Sequence, residues 1–508
     1  MSAQLALLPD YLTGHLQLTL LALLFGIAVS VPLGILATRI GWLEQVVLGV
    51  AGAIQTVPSL ALLAVMVPLL AALGLESIGF LPAIIGLTLY GLLPILRNTV
   101  TGIRGVDPAL KEAALGVGMT EAQQLRRVEL PLALPVIVGG IRTATVWTVG
   151  MATLSTPVGA TSLGNYIFSG LQTRNFAAVL VGSIAAAVLA LLLDALVHGV
   201  EVGIRDRRRG VLIATLGLFA LLFAFTAVTL AASRFGGGAR PIKIGAKTFT
   251  EQYILAEILA DQIEKETGEQ TQIVSSLGST VVFDALRSGE IDVYVDYSGT
   301  LWVNILRRSD LPASREQAIE EIGRVLAERD GVELVGSLGF ENAYALAMTG
   351  AKARELGVET ISQLVPFAAR MSIGADYEFL SRPEWRSIEK AYGLRMAQQR
   401  SMDPSLMYQA VAQGNVDVIS AFTTDGRIEA LDLIVLDDDR NAIPPYDAVI
   451  LASARLATEH PEVIQALRGL IGKIDASEMR ALNLAVDEKG ETPAKVAGRF
   501  FASDLEAR

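Results

Sequence analysis

Cysteine is absent from the 508 residues, which removes disulfide frameworks, thiolate metal sites and cysteine nucleophiles together. Histidine is nearly absent: His15, His198 and His460 are too scattered to suggest a metal cage, so neither a metal nor a cofactor is expected. Positive charge is in deficit, with 41 basic against 52 acidic residues, and the net charge of −11 argues against nucleic acid as a partner. No Ser/His/Asp set is evident, and only His460 lies in the second half, so the chain is expected not to be an enzyme. The opening stretch MSAQLALLPDYLTGHLQLTL lacks a basic n-region and a small-residue cleavage site. No removable signal peptide is expected, and the first apolar run should stay as a membrane helix.

What the chain has in excess is apolar length, unevenly distributed. A bilayer core takes roughly 20 apolar residues per helix, and the first half supplies about six such runs: Tyr11 to Thr38, Leu48 to Leu73, Phe80 to Ile103, Leu132 to Met151, Phe176 to His198 and Val211 to Ala232. Basic residues cluster after the first (Arg39), the third (Arg97, Arg104, Lys111, Arg126, Arg127) and the fifth (Arg205, Arg207, Arg208, Arg209). The positive-inside rule makes those loops cytoplasmic, and the parity of six spans then delivers everything beyond Arg234 to the outside. Phe235 to Arg240, with three glycines, reads as a flexible tether.

From Pro241 onward short β-type runs alternate with amphipathic helical patterns, the signature of an α/β domain. Ile242 to Ala246 predicts a strand, Thr250 a helix cap, and Gly268 the end of that helix. An internal echo stands out: Ala285 to Tyr297 and Ala410 to Phe422 share the order helix, Gly289 or Gly414, Asp292 or Asp417, strand, aromatic. Shared fold grammar explains such an echo; so does a pair of lobes presenting an aromatic each to a common cleft.

Between the third and fourth apolar runs, Glu112-Ala113-Ala114 is followed by Gly118 and, after nine intervening residues, by Val128-Glu129-Leu130-Pro131. This resembles the coupling loop of ABC importer permeases, with Val128 where isoleucine is usual. Physically, Ala113 and Ala114 allow close approach to a partner, Gly118 allows a turn, and Pro131 stops the chain before it re-enters the bilayer. An interfacial amphipathic helix is the plain alternative. The resemblance implies a separate ATPase subunit in two copies, two copies of this chain as a homodimer, and contact with membrane lipid. Gly245-Ala246-Lys247-Thr248 looks like the end of a phosphate-binding loop but has Ala246 where glycine is required.

The second half resembles the substrate-binding proteins of osmoprotectant importers along Lys247 to Tyr253, Gly278 to Thr280, Gly289 to Asp292, Asp296 to Thr300, Asn342 to Leu346, Tyr377 to Arg382, Thr423 to Arg427 and Pro444 to Tyr446. The resemblance implies an all-α transmembrane permease domain of about six helices over 1–234, with the coupling loop at about 104–131. A linker at 235–240 and an extracytoplasmic, two-lobed α/β binding domain over 241–508 follow. It implies as solute a quaternary ammonium such as glycine betaine, carnitine or choline, with Tyr297, Tyr344, Phe422 and Tyr446 as an aromatic cage. Phe422 departs from the family's frequent tyrosine. A trimethylammonium group has no N–H to donate, so ring faces suit it. Lys247, Thr300 and Arg382 are assigned by the same resemblance to a ligand carboxylate, for which arginine's planar fork is apt. Strand-end aromatics are also common as core, Arg382 before Pro383 could be a turn residue, Lys247 could be solvated, and Asp425 could pair with Arg427. The rivals are an importer of ergothioneine with this same build, a membrane-tethered sensor, which would need fewer spans and a cytoplasmic output domain, and an anchored exported enzyme.

Overall fold

The computed structural model describes residues 2–173, 175–235, 240–308, 312, 314–376, 379–402 and 404–506. Most of the expected tether, Gly236 to Ala239, and Tyr377 and Glu378 lie outside the described residues. The chain divides into a helical unit and a later α/β unit.

In the helical unit, α1 (Ser2–Arg39), α2 (Gly41–Thr56), α3 (Ser59–Ala72), α4 (Phe80–Arg104), α5 (Pro108–Gly116), α6 (Glu121–Gln124), α7 (Leu130–Ala152), α8 (Gly164–Gln172), α9 (Phe176–Arg205) and α10 (Arg209–Phe235) follow in order. Among the described residues, five stretches are long and apolar enough to cross a membrane: Leu7–Arg39, Phe80–Arg104, Glu121–Val158, Phe176–Arg205 and Arg209–Ala232. The expected run from Leu48 to Leu73 is instead α2 and α3, bent by 101°, and makes a sixth crossing only if the pair counts as one span. Pro58 explains the break, since it has no N–H for the ladder and keeps the preceding Val57 extended, at ψ 129°. Tight helix approaches use glycine, as lipid-embedded helices must pack by fit rather than by exclusion of water. A Cβ on Gly140 of α7 would stand 2.8 Å from the Pro94 carbonyl oxygen of α4. His15 is a satisfied core residue, its Nε2 3.1 Å from the Val149 carbonyl while its Nδ1 accepts from the Leu163 amide.

Among its described residues the α/β unit holds two five-stranded sheets. Lobe 1 contains β1 (Ile242–Lys247), β2 (Thr271–Leu277), β3 (Val293–Tyr297) and β4 (Glu333–Glu341); lobe 2 contains β5 (Tyr344–Thr349), β6 (Ser372–Ala375), β7 (Gln398–Ser401), β8 (Val418–Phe422) and β9 (Leu433–Leu436), and β10 (Asp447–Ala452) returns to lobe 1. The orders are β2-β1-β3-β10-β4 and β7-β6-β8-β5-β9. The chain therefore crosses between lobes twice, directly from β4 into β5 and again between β9 and β10.

The sequence echo is a structural one. Gly289 and Gly414 both take left-handed φ, +73° and +74°, ending their helices where a side chain would be strained. The aspartates that follow act alike. Asp292 accepts from the Lys243 amide at 2.9 Å and Asp417 from the Ser372 amide at 2.6 Å, each clamping its strand parallel to a neighbour, β3 to β1 and β8 to β6. Helix α11 (Thr250–Thr267) stops at Gly268 as expected. Thr250 does not cap it, however: Phe249 occupies the cap position, and the Thr250 hydroxyl donates to Asp487 at 2.6 Å.

Candidate functional site

The ends of β5 and β8 and the start of β10 bring rings together. Tyr344 and Phe422 are paired across the ladder, with centroids 4.8 Å apart. Phe379, in the short turn Phe379–Ser381, lies 5.1 Å from Tyr344, and Tyr446 stands edge-on to it at 6.2 Å. Phe379 was not singled out in the sequence, because it sits in an irregular segment with no periodicity. The Arg382 guanidinium lies over the Tyr344 ring, 5.2 Å from its centroid. Its fork meets Glu384, Nη2 to Oε1 at 3.0 Å and Nε to Oε2 at 3.2 Å.

Glu384 is buried and also accepts from the Tyr446 hydroxyl. Burial alone would push its carboxyl up, but the bonds from Arg382 and Tyr446 outweigh that and hold it below the ordinary range. Burial works against the charge on Arg382, and Glu384 more than restores it. Arg382 opens the helix Pro383–Tyr392 and keeps only 16% of its side chain exposed, so it is no surface turn residue. Tyr446 rests on Gly299, where a Cβ would come within 2.6 Å of the ring. Thr300, next along, is partly exposed.

Tyr297 and Lys247 form a second group in lobe 1. Lys247 is buried, paired with Asp296, with its ammonium 5.5 Å from the Tyr297 ring centroid. It is therefore neither solvated nor unpaired. Tyr297 stacks on Phe249 at 6.1 Å and donates its hydroxyl to Glu251 at 2.6 Å. Burial, then Glu251, pushes that phenol well above its usual value. Glu251 also accepts from Asn342 and Asn483, both at 3.0 Å. Its carboxyl is raised by burial, against the pull of these donors. Because the Asn342 amide donates to the Tyr446 carbonyl at 3.0 Å, a hydrogen-bonded path links the two aromatic groups through the first crossing. Asp425 and Arg427 do pair, Oδ2 to Nη2 at 2.5 Å, with the guanidinium over Tyr408.

In the helical unit, α5 carries the motif. Asp107 caps it by accepting from Ala109, and Pro108 fits its first turn. Glu112 and Ala113 are exposed and Ala114 is buried; Leu110, Leu115 and Val117 stand out beside them. Gly118 follows at φ +79°. Buried Glu129 holds the loop in place, bonded to Arg39 and accepting from Gln124 at 3.2 Å. Elsewhere the fold brings His460 to Glu269 and Glu462, with one ligand atom from each within 4.8 Å of the others, at the surface.

A bundle of apolar helices followed by a two-lobed α/β clamp with rings at its inner strand ends defines a membrane permease joined to a solute-binding domain. The comparisons place it further. Residues 240–503 match the substrate-binding domain of the ABC-type glycine betaine transport system, and residues 30–206 match the binding-protein-dependent transport system inner membrane component. The chain is 31% identical over 493 residues to the ergothioneine transport permease/ergothioneine binding protein EgtU of Helicobacter pylori, covering 95% of this chain and 87% of that one. It is 46% identical over 180 residues to the choline transport system permease protein OpuBB of Bacillus subtilis, 35% of this chain and 80% of that one. It is 31% identical over 294 residues to the carnitine transport binding protein OpuCC of Listeria monocytogenes, 56% of this chain and 95% of that one. The protein belongs to the family of ABC importer permeases fused to their substrate-binding domain, multi-pass components of the inner membrane.

Proposed function

We propose that the chain imports a small quaternary-ammonium solute such as glycine betaine, carnitine or choline. One observation carries the reading: Tyr344 is ringed by Phe379, Phe422 and Tyr446 and already has a cation, the Arg382 guanidinium, over its face. An aromatic face that holds one diffuse cation suits another. In this reading Tyr297, Tyr344, Phe422 and Tyr446 receive the ammonium head, and Lys247, Thr300 and Arg382 attract a carboxylate, Lys247 doing so from within its pair with Asp296. Residues 1–234 are the permease, 235–240 the linker and 241–508 the binding domain, held on the extracytoplasmic side by the arginine clusters. Two copies of the chain, surrounded by lipid, work with two ATPase subunits, which dock on Glu112, Ala113, Ala114 and Gly118. The exposed Leu110, Leu115 and Val117 beside them support that docking.

The fused relative named for ergothioneine, itself a trimethylammonium betaine, favours that solute as a second reading. Titration calorimetry of the full chain in detergent against glycine betaine, carnitine, choline and ergothioneine decides between them. Heat with none of the four would end both readings.

A further inference from the structure

Arg142 lies in α7 (Leu130–Ala152), and roughly 18 Å of helix axis precedes it at about 1.5 Å per residue, which is near mid-span. Its guanidinium bonds Asp194 of α9 through two nitrogens, at 2.6 and 2.8 Å, and lies 3.8 Å from Glu201. The pair is not enclosed, since the Arg142 and Asp194 side chains keep 38% and 23% of their surface exposed. Beside them opens a recess of about 450 Å³, lined by Gly139, Thr143, Trp147 and Glu201 as well as the pair. Trp147 is 48% exposed, and nothing fills the space where a Cβ on Gly139 would stand.

Charges at this depth cost about 2.5 kcal/mol or more each when they face lipid, and in membrane proteins they turn to the bundle interior or to a water-filled cavity. An ion pair that served only to hold α7 to α9 would need neither a recess nor an open indole. The recess is an open groove rather than an enclosed pocket, wide enough for a small solute to pass along it. Its chemistry is an aromatic face, two carboxylates and one guanidinium, with His198 Nδ1 3.3 Å from both the Arg142 guanidinium and Glu201.

We propose that this recess is a transmembrane binding site for a zwitterionic ammonium solute on its way across the membrane. Trp147, Asp194 and Glu201 receive the ammonium end and Arg142 the carboxylate. The assignment of the solute rests on the function proposed above; the recess facing water does not.

Two experiments separate those parts. The chain has no cysteine, so Thr143→Cys in the full chain gives a single thiol. It should react with a membrane-impermeant thiol reagent, whereas Leu192→Cys, at a 59% exposed position of α9, should not. An unreactive Thr143→Cys, or one that forms a disulfide between two copies, would overturn the recess as a solute site. In vesicles containing the full chain and its ATPase, Trp147→Ala should slow glycine betaine uptake about fivefold, with the thermal midpoint of the full chain unchanged and with rescue by Trp147→Phe. Unchanged uptake in Trp147→Ala would also overturn the site. If wild type binds no glycine betaine, the solute reading has failed instead, while the labelling result still stands or falls alone.

Discussion

Replacing Arg382 by alanine should separate carboxylated from uncarboxylated ligands. The guanidinium bonds the buried Glu384 through two nitrogens and lies over Tyr344, so it is fixed beside the rings. A charge-assisted hydrogen bond contributes about 1.5–3 kcal/mol. Its removal also leaves Glu384 with Tyr446, and with a negative charge facing the incoming carboxylate. Glycine betaine and carnitine should therefore lose about 2–3 kcal/mol, roughly 30- to 140-fold in Kd at about 1.4 kcal/mol per factor of ten. Choline, with no carboxylate, should change less than about threefold. Arg382→Ala combined with Glu384→Gln should recover part of the betaine affinity by removing the repulsion. Arg382→Lys keeps the charge without the fork and should fall between. Titration calorimetry on the full chain measures all of these, with a thermal midpoint for each variant to confirm folding. Equal losses for choline and glycine betaine in a folded Arg382→Ala would refute the reasoning and make this arginine a brace for Glu384 and Tyr446 alone.

Gly118→Ala puts a side chain where φ is +79°, at a cost of about 1–2 kcal/mol, and should reduce uptake in vesicles while solute binding stays intact; normal uptake would remove the coupling assignment. Protease added to intact cells with a permeabilised outer membrane should release a soluble fragment of roughly the last 270 residues. Protection until the inner membrane is broken would reverse the topology. Burial pushes Asp447 and Asp487 up to about 6 and, with help from Asp261 and Glu264, Glu257 to about 7. The folded state thus holds protons that the unfolded chain has released, so stability from these groups is present at low pH and is lost as pH rises through 6 to 7. The thermal midpoint should be a few degrees higher at about pH 5 than at about pH 8, with a flatter profile in Asp447→Asn/Asp487→Asn. A midpoint that rises with pH over this window would contradict the burial argument.

Apolar run length located the five helices that, among the described residues, are long and apolar enough to cross a bilayer, because the bilayer fixes how many residues a span needs. It gave no sign of the 101° turn at Pro58, since a hydropathy run counts residues and is blind to a lost N–H within it. The Gly-x-x-Asp-strand-aromatic unit was legible twice because all of its parts are local. Long-range partners were not. Glu251 reaches Asn483 across 232 positions, and Lys247 meets Asp296 across 49, distances over which no spacing rule operates. Phe379 was hidden for a related reason: in a turn nothing in the sequence tells which way a ring faces.

The first crossing between the lobes is two residues long, Asn342 and Ala343, and both are tied by their backbone: Asn342 to the Tyr446 carbonyl, Ala343 to the Thr423 side chain, each at 3.0 Å. Tyr344 is then paired with Phe422 by the ladder itself. Main-chain bonds thus set where Tyr344 and Phe422 stand, while Tyr446 is held as well by the bond from its hydroxyl to Glu384. In the proposed reading the cleft behaves as a socket with exchangeable fittings: Phe422→Tyr, or a different ring at 344, retunes it without reopening the fold, whereas a one-residue shift of β5 against β8 would turn Tyr344 to the other face of its sheet, away from Phe422.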